Sequence, residues 1–225
     1  TSRQKRDRIA ALGGDHVKMV FVDGAFDEAP ADAQRMAKEA GAVYVHPFDD
    51  PAVIAGQGTV AKEIAEQVGD ELNAVVVPIG GGGLAAGMAV WLKENRPDVR
   101  VIGAEASGAP SMQAALQAGG PVSLRSVDGF VDGTAVKRAG DTSYALIRDL
   151  VDQVVSVPEG AVGREMLDLY HTEGIIAEPA GAVASAAIAM AAAGELPELK
   201  LKGTTVAVVS GGNNDLSRYA EVQER

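Results

Sequence analysis

The residues best placed to do chemistry sit in two glycine turns. The first is Gly80-Gly81-Gly82-Gly83, which follows the run Val75-Val76-Val77-Pro78-Ile79 and leads into Leu84-Ala85-Ala86-Gly87. A buried strand that stops at four glycines and restarts as a helix aims several backbone N–H groups at one point, where the helix dipole also favours negative charge. Glycine suits such a turn because a Cβ would restrict positive φ and block close approach of a ligand. The implied chemistry is anion binding, with a phosphate as the natural occupant. The second turn, Ser210-Gly211-Gly212-Asn213-Asn214, also follows a Val-rich strand pattern. In a parallel sheet two such turns can converge at the carboxyl edge and hold one flat ligand. The bland alternative is a strand-to-helix turn packed closely for structural reasons alone.

The first turn also admits a dinucleotide. Gly81, Gly83 and Ala86 fit G-x-G-x-x-A, and Glu105 ends the next strand about where a ribose-binding acid belongs. An NAD-dependent oxidoreductase is therefore a rival on local pattern. Four successive glycines form a cup better suited to a terminal phosphate than to a pyrophosphate lying across the turn. Local physics favours phosphate binding and does not select the cofactor.

The elements that must position these turns read as alternating strands and helices, hence an α/β fold with a mostly parallel open sheet and helices on both faces. Helices are expected over 3–12, Phe26–Ala40, the stretch after Pro51 through Val68, and Leu84 to about Asn95. Further helices are expected around Met112–Leu116, over Ser143–Leu150 and Glu159–Glu173, and from Pro179 to Ala193, with a last one from Asp215. Strands are expected at Val17–Val22, Ala42–Val45, Val75–Ile79, Val99–Ala104, Gln153–Val157 and Thr204–Val209. Gly129–Ala139 has no clear period and reads as a functional loop. His46-Pro47-Phe48-Asp49-Asp50-Pro51 interrupts the pattern, with Asp50-Pro51 a cap followed by proline at the first helical position, and marks the best domain boundary. The glycines of Gly56-Gln57-Gly58 point to a close helix contact more than to a ligand.

Composition narrows the function classes. The 225 residues carry a formal charge of −11, which argues against nucleic acid and anionic membrane surfaces as partners. The basic run Arg3, Lys5, Arg6 and Arg8 then reads as a solvated helix face. Aromatic residues make up only 4%, too few for a base-stacking platform, while 47% apolar residues allow a sizeable Val, Ile, Leu and Ala core. With no cysteine there is no disulfide framework, thiolate metal site or thiol nucleophile, which fits a cytoplasmic setting. No run approaches the roughly 18 apolar residues of a membrane span. A chain that opens on Thr1-Ser2 with a helical pattern already under way reads as a truncated start.

On its motifs the chain resembles the fold-type II pyridoxal-phosphate enzymes, and within them the biosynthetic threonine dehydratases. The matching segments are Gln4-Lys5-Arg6-Asp7-Arg8-Ile9, Pro47-Phe48-Asp49-Asp50-Pro51 with Ile54-Ala55-Gly56-Gln57-Gly58-Thr59, and Pro78 to Leu84. They continue with Asp132-Gly133-Thr134-Ala135-Val136, Glu173-Gly174-Ile175-Ile176-Ala177-Glu178-Pro179-Ala180-Gly181-Ala182 and Ser210-Gly211-Gly212-Asn213-Asn214. The resemblance implies pyridoxal 5'-phosphate as cofactor, a small amino-acid substrate, and a homo-oligomer (dimer or tetramer). It implies a remnant of a smaller α/β domain over 1–46 and a larger phosphate-binding α/β domain over 47–225.

Carried over residue by residue, Gly80, Gly81, Gly82, Gly83 and Leu84 would bind the cofactor phosphate through backbone N–H groups. Ser210 would face the pyridine nitrogen, with a helix N-cap as its structural alternative. Glu178 would lie near the active site or serve as a buried or capping acid, and Asn213 and Gly133 would line the cofactor pocket. The family's Schiff-base lysine and its Ser-Gly-Asn-His substrate loop match nothing in this chain, so the catalytic lysine is assigned to none of the lysines present. The implied activity of the complete enzyme is conversion of L-threonine to 2-oxobutanoate and ammonia, the first step of isoleucine biosynthesis, and the chain alone is expected to be inactive. Serine dehydratase and serine racemase share the fold and remain alternatives, as does a non-catalytic cofactor-binding or oligomerisation fragment. Some relatives bind a divalent cation where Glu105 sits. The second acid of that site is Ser111 here, so no metal is expected and Glu105 is read as a solvated strand-end acid.

Overall fold

The computed structural model describes residues 3–22 and 29–214. Its centre is a four-stranded sheet with the order β3-β2-β1-β4, built from β1 (Leu72–Ile79), β2 (Arg100–Ala106), β3 (Gln153–Val157) and β4 (Thr204–Ala207), with every pairing parallel. Parallel neighbours require crossovers, and helices supply them. They are α4 (Gly83–Asn95), α5 (Ser111–Ala118), α6 (Asp141–Leu150), α7 (Glu159–Glu173) and α8 (Pro179–Ala193), while α3 (Pro51–Val68) leads into β1. Two more, α1 (Arg3–Gly13) and α2 (Ala29–Ala40), precede them.

The side-chain period of two explains why β1 is apolar throughout. Ala74 and Val76 point into a core shared with α7 and α8, whereas Val75, Val77 and Ile79 point into a second core shared with α3, α4, α5 and α6. Burying each of these Val or Ile side chains is worth roughly 1.5–3 kcal/mol, so β1 anchors both layers. On one face α3 and α4 cross closely at Gly58 and Gly87, where a Cβ on Gly58 would lie 3.1 Å from the Gly87 carbonyl oxygen. The glycines of Gly56-Gln57-Gly58 thus belong to a helix contact, although Gln57 also reaches a cavity described below.

Two expected strands do not form. Val17–Val22 and Ala42–Val45 run as irregular chain, with Phe21 64% and Val43 88% exposed. A strand is held by a neighbour's backbone hydrogen bonds, and among the described residues neither segment pairs with one. The start of the expected second helix at Phe26 and the last helix from Asp215 lie outside the described residues.

Candidate functional site

The strand order itself creates the site. From β1 the chain moves to β2 and then β3 on one side, and afterwards crosses back to β4 on the other side of β1. Such a reversal opens a crevice at the carboxyl ends of the two strands on either side of it. Ala207 pairs with Val76, and the Val208 N–H donates to the Val76 carbonyl at 3.0 Å, so the turns after β1 and β4 leave the sheet side by side. A cavity of about 340 Å³ lies there, lined by Gly80, Gly81, Gly82, Gly83 and Leu84 from the first turn and by Ser210 from the second. Gly133, Thr134, Glu178 and Phe48 complete much of its wall. A groove of about 390 Å³ between α3, α4 and α6 is lined mostly by apolar side chains such as Ile54, Val90, Trp91 and Leu146, and gives a charged ligand little to bind.

The glycine turn fits an anion. Gly82, the N-cap of α4, has φ +100°, in the left-handed region that favours glycine. The N–H groups of Gly83, Leu84 and Ala85 open the first turn of α4, where a helix offers them no acceptor. With the dipole behind them they form a donor set for a phosphate. The structural reading of the glycines holds as well. A Cβ on Gly80 would lie 2.8 Å from Thr134 Cα, one on Gly81 would enter the Phe48 ring, and one on Gly83 would strike the Phe48 carbonyl oxygen. The quartet is needed for close packing.

Phe48 is held over this turn by a short polar segment. His46 Nδ1 accepts hydrogen bonds from the Asp49 N–H at 2.7 Å and the Phe48 N–H at 3.2 Å, which makes it the unprotonated ring nitrogen. The Asp49 carboxylate then caps α6, accepting from the Asp141 and Ser143 N–H groups at 2.9 Å and from Ser143 Oγ at 3.1 Å. The Gly140 N–H, just before α6, donates to the Gly81 carbonyl at 3.1 Å. Asp50 caps α3 through the Ala52 N–H at 2.8 Å and the Val53 N–H at 3.2 Å, with Pro51 at the first helical position. One five-residue segment therefore fixes the starts of two helices and one wall of the cavity.

Of the other residues singled out in the sequence, Gly133, Glu178 and Ser210 reach the cavity. Glu178 occupies the N-cap position of α8 and makes no capping hydrogen bond with its side chain. Its carboxylate instead lies 3.4 Å from Lys5 Nζ. Asn213 is exposed and is not among the lining residues; its neighbour Asn214 is the buried one, with Nδ2 donating to the Ala177 carbonyl at 3.2 Å. Phe48 and Thr134 were not singled out as site residues, although both stand in the motifs that carry the resemblance.

Glu105 corrects a specific expectation. It is not solvated but fully buried, and its carboxylate accepts from the Met112 N–H at 2.7 Å and the Gln113 N–H at 2.9 Å, closing the first turn of α5. Burial pushes its pKa up to about 7, against the lowering effect of the two N–H donors. Both carboxylate oxygens are thus engaged by α5, which does not suit an acid that holds a ribose.

Comparison with known proteins agrees with this geometry. The family model described as "Pyridoxal-phosphate dependent enzyme" matches residues 1–211. The biosynthetic L-threonine dehydratase of Corynebacterium glutamicum is 47% identical over 232 residues, covering all of this chain and 51% of that protein. Among solved structures, the processed form of threonine deaminase isoform 2 from Solanum lycopersicum superposes with a TM-score of 0.88 at 40% identity, covering all of this chain and 60% of that one. Maize serine racemase gives 0.84 at 32% identity, over 98% of this chain and 67% of that one. The chain spans about half the length of the curated relatives it matches.

Proposed function

The chain belongs to the pyridoxal-phosphate dependent enzymes, and on that premise we propose that, in the complete protein, it serves the dehydration and deamination of L-threonine to 2-oxobutanoate and ammonia. The observation that carries the reading is the single cavity shared by the Gly80–Leu84 turn, Ser210 and Glu178, supported by 47% identity along the whole chain to a threonine dehydratase. Bound pyridoxal phosphate supplies an electron sink for the charge left when an amino acid loses its Cα proton. This chain's residues bind and orient that group. The N–H groups from Gly80 to Leu84 would hold the phosphate, and the Ser210 hydroxyl would face the ring nitrogen. A neutral hydroxyl there leaves the ring a modest sink, which suits an elimination. Phe48, locked by His46 and seated on Gly81 and Gly83, keeps water from the phosphate end. Glu178 and Gly133 form the wall beyond it.

On this reading residues 1–46 belong to a smaller α/β unit and 47–225 to the larger, phosphate-binding one, in a cytoplasmic homo-oligomer. Titrating the chain with pyridoxal 5'-phosphate, and with pyridoxal lacking the phosphate, tests the binding half. Saturable binding of the first alone is expected, and equal binding of both would refute the phosphate cup. Ammonia release from L-threonine and L-serine, measured on a protein carrying this chain within a complete sequence and on the 225 residues alone, tests the rest. Turnover of L-threonine by the complete protein and none by the chain is expected.

A further inference from the structure

Lys5 stands on α1 with its side chain 27% exposed, and its ammonium lies 3.4 Å from Glu178 Oε2 and 3.7 Å from Asp132 Oδ2. Of the two acids, Glu178 lines the cavity, whereas Asp132 is exposed just before the lining residues Gly133 and Thr134. The Glu178 side chain, only 14% exposed, is wedged between two turns. A Cβ on Gly211 would lie 2.5 Å from its Oε1, and one on Gly133 would lie 3.4 Å from the same atom. The carboxylate cannot swing far from the cavity, because the backbone of the second glycine turn is packed against it.

This enclosure creates an electrostatic conflict. The glycine turn is built for an anion, and a phosphate monoester carries close to two negative charges near pH 7. A fixed carboxylate in the same cavity repels that ligand, and the repulsion is weakly screened where water is excluded. We propose that Lys5 is the positioning residue that neutralises Glu178 and so sets the affinity of the cavity for a phosphate-bearing ligand. The idea rests on the phosphate reading given above. It also gives α1 a role: the helix that carries Lys5 reports on the cavity. By linkage, whatever factor the docked Lys5 adds to ligand affinity, the ligand adds to the docking of α1.

The test is a thermodynamic cycle on the chain with K5M, K5R, E178Q and the K5M/E178Q pair, reading the dissociation constant of pyridoxal 5'-phosphate by fluorescence titration. K5M is expected to bind about tenfold more weakly, a change of about 1.4 kcal/mol. K5R, which keeps the charge, is expected to stay close to wild type, and K5M/E178Q to regain most of the loss, because the acid needing neutralisation is gone. A second readout is proteolysis within residues 3–13: the ligand should slow cleavage in wild type and leave K5M unchanged. Equal affinity of wild type and K5M, or a double variant as weak as K5M, overturns the proposal and leaves the phosphate reading standing. Absence of binding to the wild-type chain overturns the phosphate reading, and the proposal with it.

Discussion

Replacing Glu105 by Gln removes a titration from the middle of the sheet, and the pH dependence of stability should show it. The carboxyl is fully buried near the end of β2, and burial raises its pKa from 4.5 to about 7 while the Met112 and Gln113 N–H groups work the other way. The folded state therefore holds this proton more tightly than the unfolded state does. Between about pH 4.5 and 7 the folded protein binds more protons, so stability falls as pH rises through that window. A displacement from 4.5 to about 7 corresponds to about 3 kcal/mol. E105Q carries no such proton, and other carboxylates cancel when the two proteins are compared. Urea unfolding at pH 5, 6, 7 and 8 should show wild type losing about 2–3 kcal/mol relative to E105Q across the series, the rest having been lost below pH 5. Any fixed effect of the amide's altered hydrogen bonding shifts all points alike and leaves the slope untouched. A flat difference would refute the reasoning, because it would mean that the two backbone donors offset the desolvation. A difference of opposite sign would mean that they outweigh it.

Three further substitutions probe the frame of the cavity. D49A removes the acceptor for two N–H groups and one hydroxyl at the start of α6 and should lower stability by about 1–2 kcal/mol in chemical denaturation, with affinity for pyridoxal 5'-phosphate falling as the Phe48 wall loosens. G81A drives a Cβ into the Phe48 ring and should cost about 1–3 kcal/mol. Adding F48A should relieve that overpacking but not restore phosphate-dependent binding; recovery of both would show that the glycine serves packing alone. G87A places a Cβ against the Ile54 carbonyl at the α3–α4 crossing and should lower the unfolding free energy by a comparable amount, about 1–3 kcal/mol, with ligand affinity largely retained if the effect stays in that layer.

Much of the architecture was legible because it is written in local periodicity. The Val-rich runs, the Gly and Pro stops and the alternation of strand with helix specify a parallel α/β sheet, since each signal is a property of neighbouring residues. The first glycine turn was legible for the same reason: only glycine tolerates the φ of +100° that Gly82 adopts, and only a strand-turn-helix sequence presents a helix N-terminus there. What the chain text could not determine was which distant groups meet. Phe48 covers Gly81, and Asp49 caps a helix more than ninety residues downstream. Neither fact leaves a mark in the spacing around position 48. The strands expected at Val17–Val22 and Ala42–Val45 failed because strand patterning describes a side-chain face, whereas a strand also needs a neighbour for its backbone. Asn213 and Asn214 are adjacent and alike, yet only the fold decides which is buried, because only Asn214 meets the distant Ala177 carbonyl. Glu105 shows the division most clearly. Its place at the end of a strand follows from the sequence, but its charge state depends on whether water or α5 surrounds it, and tertiary packing alone decides that.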